Sequence, residues 1–140
     1  EKYAVAIGGA YNHRLNLSSG ILIKDNHIVS AGSITNAINS IKKMNVDLPI
    51  EIEIDNIKQL KEALLVGIDG LLLDNMKPKK IKSAMSIIRN SINGYNIFVE
   101  ASGGITYKNI TPYLDTGINA ISIGALTHQA VNKNISLNFI

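Results

Sequence analysis

Gly8 to Arg14 reads GGAYNHR, a glycine turn that delivers His13 and Arg14, and Lys24 follows one short segment later. An arginine fork fits a carboxylate, a lysine offers a point charge, and a histidine offers a donor whose protonation can adjust. Together they suit an anionic substrate; singly they would read as a solvated loop pair and a surface lysine. Glu53 and Asp74 each end an apolar run. Two such carboxylates are hard oxygen ligands that suit Mg2+, which keeps several waters and completes its shell from substrate phosphates. The plainer alternative is a Glu53 to Lys24 ion pair, with Asp74 capping the following helix. Glu51 shares the strand face of Glu53, whereas Asp55 lies where the next helix begins. Ser102, Gly103 and Gly104 follow an apolar run and precede a helical stretch, and Gly124 with Ala125 repeats the arrangement. Glycines there let backbone N–H groups and a helix N-terminus approach a phosphate, although small residues also fill tight turns without any ligand. His128 borders Gly124, while His27 stands apart from any acid and reads as a structural residue that orients a turn.

These side chains need a scaffold that gathers them. Ile21 to Lys24, Ile50 to Ile54, Gly70 to Leu73, Ile97 to Ala101 and Ala120 to Ile123 are runs rich in Ile, Leu and Val, too short for helices, and they read as strands. Between them Ile34, Ala37, Ile38 and Ile41 share one helical face, as do Ile57, Leu60 and Leu64, and then Ile81, Ala84, Met85 and Ile88. Ser33 and Asn56 are expected as N-caps, Pro78 suits a first turn, and Gly67, Gly94 and Gly117 are expected to close helices or turns. Strands buried on both faces, each followed by a helix, imply an α/β fold with parallel pairing. An open doubly wound sheet would place its ligand beside one switch point. Lys24, Glu53, Asp74, Glu100 with Ser102, and Gly124 instead put a polar group or glycine at the end of every strand. That favours a TIM-like (β/α) barrel, incomplete in this chain, with one pocket ringed by βα loops.

Composition excludes several classes of function. The chain has 140 residues with 46% hydrophobic and 18% charged content, enough for one buried core and unlike a disordered segment. With no cysteine it carries no disulfide and no Cys-ligated zinc. A net charge of +3, only two arginines (Arg14 and Arg89) and 5% aromatics do not make a nucleic-acid surface. Lys77, Lys79, Lys80 and Lys82 read as the solvated start of a helix. No apolar run reaches the roughly 18 residues of a membrane span, and no leader is apparent, so a soluble cytoplasmic protein is expected.

The motifs KYAVAIGGAYNHR (Lys2 to Arg14), LIKDNHI (Leu22 to Ile28), EIEIDN (Glu51 to Asn56), LLDNM (Leu72 to Met76), EASGGI (Glu100 to Ile105) and IGALTH (Ile123 to His128) occur in order across essentially the whole chain. In this combination the sequence resembles the C-terminal barrel domain of the quinolinate phosphoribosyltransferase family. The resemblance implies condensation of quinolinate with phosphoribosyl pyrophosphate, giving nicotinate mononucleotide, pyrophosphate and carbon dioxide on the de novo route to NAD. It implies that His13, Arg14 and Lys24 bind the quinolinate carboxylates, that Glu53 and Asp74 act around magnesium and the ribose, and that Ser102, Gly103 and Gly124 hold the 5-phosphate. His128 would border the site. Lys24, Glu53 and Asp74 are the residues expected closest to the chemistry.

The resemblance further implies that residues 1–140 are one part of a two-domain enzyme that forms a homodimer with shared active sites. A Thr-Arg-Lys-Thr element on a first strand, an amino-terminal domain and an arginine contributed across the dimer are expected of the family and do not occur in this chain. The chain alone is therefore expected to be inactive. Ala10 stands where the family usually has glycine, and Gln129 where serine is common. Two other readings fit many of the same motifs: a related phosphoribosyltransferase-like protein of molybdenum utilisation, and a non-catalytic module that binds phosphate or another anion.

Overall fold

The computed structural model of the chain describes residues 1–139. The five apolar runs form one parallel sheet, paired in chain order: β1 (Ile21–Ile23), β2 (Ile50–Ile54), β3 (Gly70–Asp74), β4 (Phe98–Ser102) and β5 (Ala120–Ile121). An order that never reverses has no switch point, so the doubly wound alternative is set aside in favour of barrel-type winding. The expected strands are met within two residues at each end. β4 starts at Phe98 rather than Ile97, and β5 pairs over two residues only.

Helices α1 (Lys2–Ile7), α2 (Asp25–Ala31), α3 (Ile34–Lys42), α4 (Ile57–Val66), α5 (Pro78–Arg89), α6 (Thr111–Leu114) and α7 (Ala125–His128) intervene. Ser33 caps α3 by accepting from the Asn36 N–H at 3.0 Å, and Asn56 caps α4 by accepting from the Gln59 N–H at 2.9 Å. Pro78 opens α5, where its missing N–H costs nothing. The apolar faces of α3, α4 and α5 bury Ile34, Ile38, Leu60, Ile81 and Ile88 against Ile52, Ile54, Leu71, Leu73 and Val99 of the sheet, all at most 1% exposed. Gly94 closes a turn, its N–H donating to the Ser91 carbonyl at 3.1 Å, and also starts a 3-10 helix (Gly94–Asn96); a Cβ there would overlap the carbonyl of Ile88. No helix among the described residues is long and apolar enough to cross a membrane.

One turn occurs twice. The segments GIDG (Gly67 to Gly70) and GINA (Gly117 to Ala120) lead into β3 and β5, and their first glycines have φ of 82° and 83°. Asp69 then accepts from the Ile50 N–H at 2.8 Å and Asn119 from the Val99 N–H at 2.8 Å. Each side chain thus satisfies a donor at the entrance of the preceding strand, which would otherwise lose its partner on burial. Asn119→Ala should lower unfolding stability by about 1 kcal/mol, and Asn119→Asp, which keeps the acceptor, should lose less. Chemical denaturation checks this, and equal midpoints for wild type and the alanine variant would show that the Asn119 bond does not hold the register.

Candidate active site

Successive strand residues face opposite sides, and the register decides which polar groups meet. Leu22, Glu51 and Gly70 lie level with one another on adjacent strands, and Glu53, Leu72 and Glu100 form the next level. Asp74 and Ser102 pair one level further toward the strand exits. All these residues share the face opposite the helix-packed core, where a concavity of about 930 Å³ opens, lined by Arg14, Glu51, Glu100, Ser102 and Gly124 among others. Lys24 follows the exit of β1, level with Glu53 in the continuing register.

The deeper layer centres on His13. Its Nε2 lies 3.1 Å from Glu51 Oε2 and 3.8 Å from Glu100 Oε2. Gly70 makes this possible, because a Cβ on Gly70 would stand 3.1 Å from the Glu51 Cγ that lies over it. Ser122 donates its hydroxyl to Glu100 Oε1. Burial, and then the Glu100 charge, push the Glu51 carboxyl above its ordinary value, against the opposing pull of His13 and Arg14. Glu51 Oε1 is buried without a hydrogen-bond partner. The ligand atoms of His13, Glu51 and Glu100 all lie within 4.8 Å of one another, so this trio could hold a cation.

The layer at the strand exits holds the acids that sequence singled out. Burial, then the Asp74 charge, raise the Glu53 carboxyl above its ordinary value, and Lys24 works against both. The ion pair between Glu53 and Lys24 does not form: among the described residues, side-chain pairs within 4.0 Å involve only His13. Nor does Asp74 cap the next helix, whose N-cap is Lys77. Two hard carboxylates at adjacent strand exits are a donor set that fits a divalent cation.

Arg14 stands apart from Lys24. Its Nη1 donates to the Gly20 carbonyl at 3.0 Å, at the entrance of β1, whereas Lys24 lies beyond the exit, about 13 Å along the strand at ~3.3 Å per residue. The structure therefore groups His13 and Arg14 with the deeper acids, and Lys24 with Glu53 and Asp74. Gly103 has φ +91° and Gly104 φ +61°, and Gly104 faces open space. His128 Nε2 would stand 3.3 Å from a Cβ on Gly124, which puts the two side by side. His27 accepts from the Lys24 N–H through Nδ1 at 2.9 Å and so fastens the start of α2. Glu100, expected at a strand end, joins Ser122 and Gly70 in the deeper layer; the parts of Ser122 and Gly70 have no signal in the sequence, since they depend on register.

A parallel (β/α) sheet with acids, a lysine and glycine turns at its strand exits defines the barrel class of enzymes that work at that end. The family model described as quinolinate phosphoribosyl transferase, C-terminal domain, matches residues 1–138, and the chain belongs to that family. It is 41% identical over 139 residues to a probable nicotinate-nucleotide pyrophosphorylase (carboxylating) of Bacillus subtilis, covering 99% of this chain and 46% of that protein. The Homo sapiens nicotinate-nucleotide pyrophosphorylase (carboxylating) is 34% identical over 138 residues, covering 98% of this chain and 46% of its own length. A crystal structure of the Ehrlichia chaffeensis nicotinate-nucleotide pyrophosphorylase superposes with a TM-score of 0.86 at 43% identity, covering 95% of this chain and 47% of that one. The chain spans about half the length of the curated relatives it matches.

Glu51 offers a test of the deeper layer. Its carboxyl holds a proton more readily folded than unfolded, so its contribution to stability is complete below the ordinary value of 4.5 and is lost as pH rises through the raised folded value. Glu51→Gln should therefore raise the denaturation midpoint at neutral pH, with the gain fading as the pH falls toward 4.5. A lower midpoint at neutral pH would show that the His13 contact outweighs the burial of charge.

Proposed function

We propose that the protein containing this chain transfers phosphoribosyl from phosphoribosyl pyrophosphate to quinolinate with loss of carbon dioxide, forming nicotinate mononucleotide and pyrophosphate. The observation that carries this reading is family membership over residues 1–138, on a fold whose strand register puts Glu53, Asp74 and Ser102 on one face. Residues 1–140 are then the C-terminal barrel domain of a two-domain enzyme that works as a homodimer with shared active sites in the cytoplasm.

In this reading His13, Arg14 and Lys24 bind the two carboxylates of quinolinate. Arg14 spends one nitrogen on the Gly20 carbonyl, and the rest of its fork serves the substrate. Ser102, Gly103 and Gly124 hold the 5-phosphate through hydroxyl and backbone donors, with His128 beside them. Glu53 and Asp74 would hold Mg2+, which when bound supplies positive charge to the diphosphate. The pyridine nitrogen attacks the ribose C1 as the bond to the pyrophosphate oxygen breaks. Positive charge develops on the sugar, and ionised carboxylates fixed beside it lower the barrier without reorganising. As the bond from the adjacent ring carbon to its carboxylate breaks, carbon dioxide leaves and the electron pair stays on that carbon, stabilised by the neighbouring cationic nitrogen, until a proton adds there. No nucleophilic side chain is required.

Incubating the full-length protein with both substrates and Mg2+ should yield nicotinate mononucleotide and carbon dioxide in equal amounts. Binding of a phosphate ester with no binding of quinolinate would favour an anion-binding module or the molybdenum-associated relative instead. Arg14→Ala should weaken quinolinate binding by about 10- to 100-fold, the worth of roughly 1.5–3 kcal/mol for a charge-assisted bond, and unchanged affinity removes Arg14 from the site. Asp74→Asn should depress turnover while leaving the denaturation midpoint near wild type. A variant that unfolds would assign Asp74 a structural role.

A further inference from the structure

Asn75 follows β3 in the left-handed region, with φ 49°. Its backbone N–H donates to the Ser102 carbonyl at 2.9 Å, and its Nδ2 donates to Asp74 Oδ2 at 2.5 Å. The other side of the same amide rests on Gly103, where a Cβ would stand 2.6 Å from Asn75 Cγ. One exposed residue therefore touches both the acid at the end of β3 and the glycine loop after β4. Helix formation does not explain it, because α5 begins at Pro78 with Lys77 as its N-cap. Burial does not explain it either, since Asn75 is exposed while its neighbour Met76 enters the core.

We infer that Asn75 is a positioning residue that fixes the Asp74 carboxylate at a set separation from the Ser102–Gly103 loop, and so matches two grips on a single phosphoribosyl diphosphate. The inference rests on the reading above, in which the loop takes the 5-phosphate and Asp74 works at the ribose and diphosphate. The amide can act on both because its two ends differ. The donor end turns to the carboxylate, which only accepts, and this orientation commits the oxygen end to the glycine. Gly103 is then required twice, by its own φ of +91° and by the amide lying against it.

The experiment uses the full-length protein. Asn75→Gly keeps the left-handed backbone and removes the amide; Asn75→Asp keeps the shape but sets a second carboxylate against Asp74. With a charge-assisted bond lost, Asn75→Gly should raise KM for phosphoribosyl pyrophosphate about tenfold and leave KM for quinolinate within about twofold. Asn75→Asp should be worse than Asn75→Gly, and the thermal midpoint of Asn75→Gly should stay near wild type. Calorimetric titration of Mg2+ and phosphoribosyl pyrophosphate into wild type and Asn75→Gly reads the same difference without turnover. Equal affinities, or equal losses for both substrates with a lowered midpoint, overturn the inference. A wild-type protein that binds phosphoribosyl pyrophosphate but forms no nicotinate mononucleotide sinks the functional reading alone, and the titration still decides the role of Asn75.

Discussion

In a parallel strand every second side chain faces the same way, and in this sheet one face is sealed by helices. Ile52, Leu71, Leu73 and Val99 are driven against α3, α4 and α5 and become inaccessible. A one-residue slip would bury Glu51, Glu53 and Glu100 beneath the helices, with their charges desolvated and unpaired, at a cost far beyond a domain's net stability. The hydrophobic face therefore fixes the register, and the register alone decides that Glu53, Glu100, Asp74 and Ser102 share the opposite face. The polar groups are placed by the apolar ones behind them.

On that face the acids are held in two tiers with different partners. Glu51 and Glu100 reach toward each other across Gly70 and are relieved by His13 and Ser122. Among the described residues Glu53 and Asp74 have no cation in contact to offset their repulsion, only the more distant Lys24, with the neutral Asn75 amide on Asp74. The lower tier is thus largely satisfied by the chain itself, whereas the upper one is left with excess negative charge where a cation or a cationic sugar would be welcome. This difference favours the upper acids for chemistry, and it comes from what surrounds each pair, since both pairs are glutamate or aspartate on neighbouring strands.

Much of the scaffold was legible because its signals are local. Ser33, Asn56 and Pro78 announce helix starts through bonds made within a few residues, and the strands are apolar runs bounded by Gly, Asn or Pro. The polar ends of the strands could be read for the same reason. What depends on distant partners could not: Arg14 finds the Gly20 carbonyl rather than the neighbourhood of Lys24, and His13 finds Glu51 and Glu100. The helices α1 and α2 give only a weak signal, since neither fully buries a residue, and α2 packs just Ile28 and Ala31 partly against the core. The sequence marks Gly103 as a glycine that a phosphate could approach, whereas its packing against Asn75 depends on β3 and β4 lying side by side.

The twice-used turn before β3 and β5 gives the sheet a division of labour between its two rims. At the lower rim, Asp69 and Asn119 rivet each incoming strand to the one before it through a side-chain bond in place of a missing backbone rung. Alignment is settled there, before the chain reaches the opposite rim. The loops that leave the upper rim are consequently at liberty to change length or composition without dragging the strands out of step, which is the mechanical condition under which one scaffold can be retuned toward new substrates.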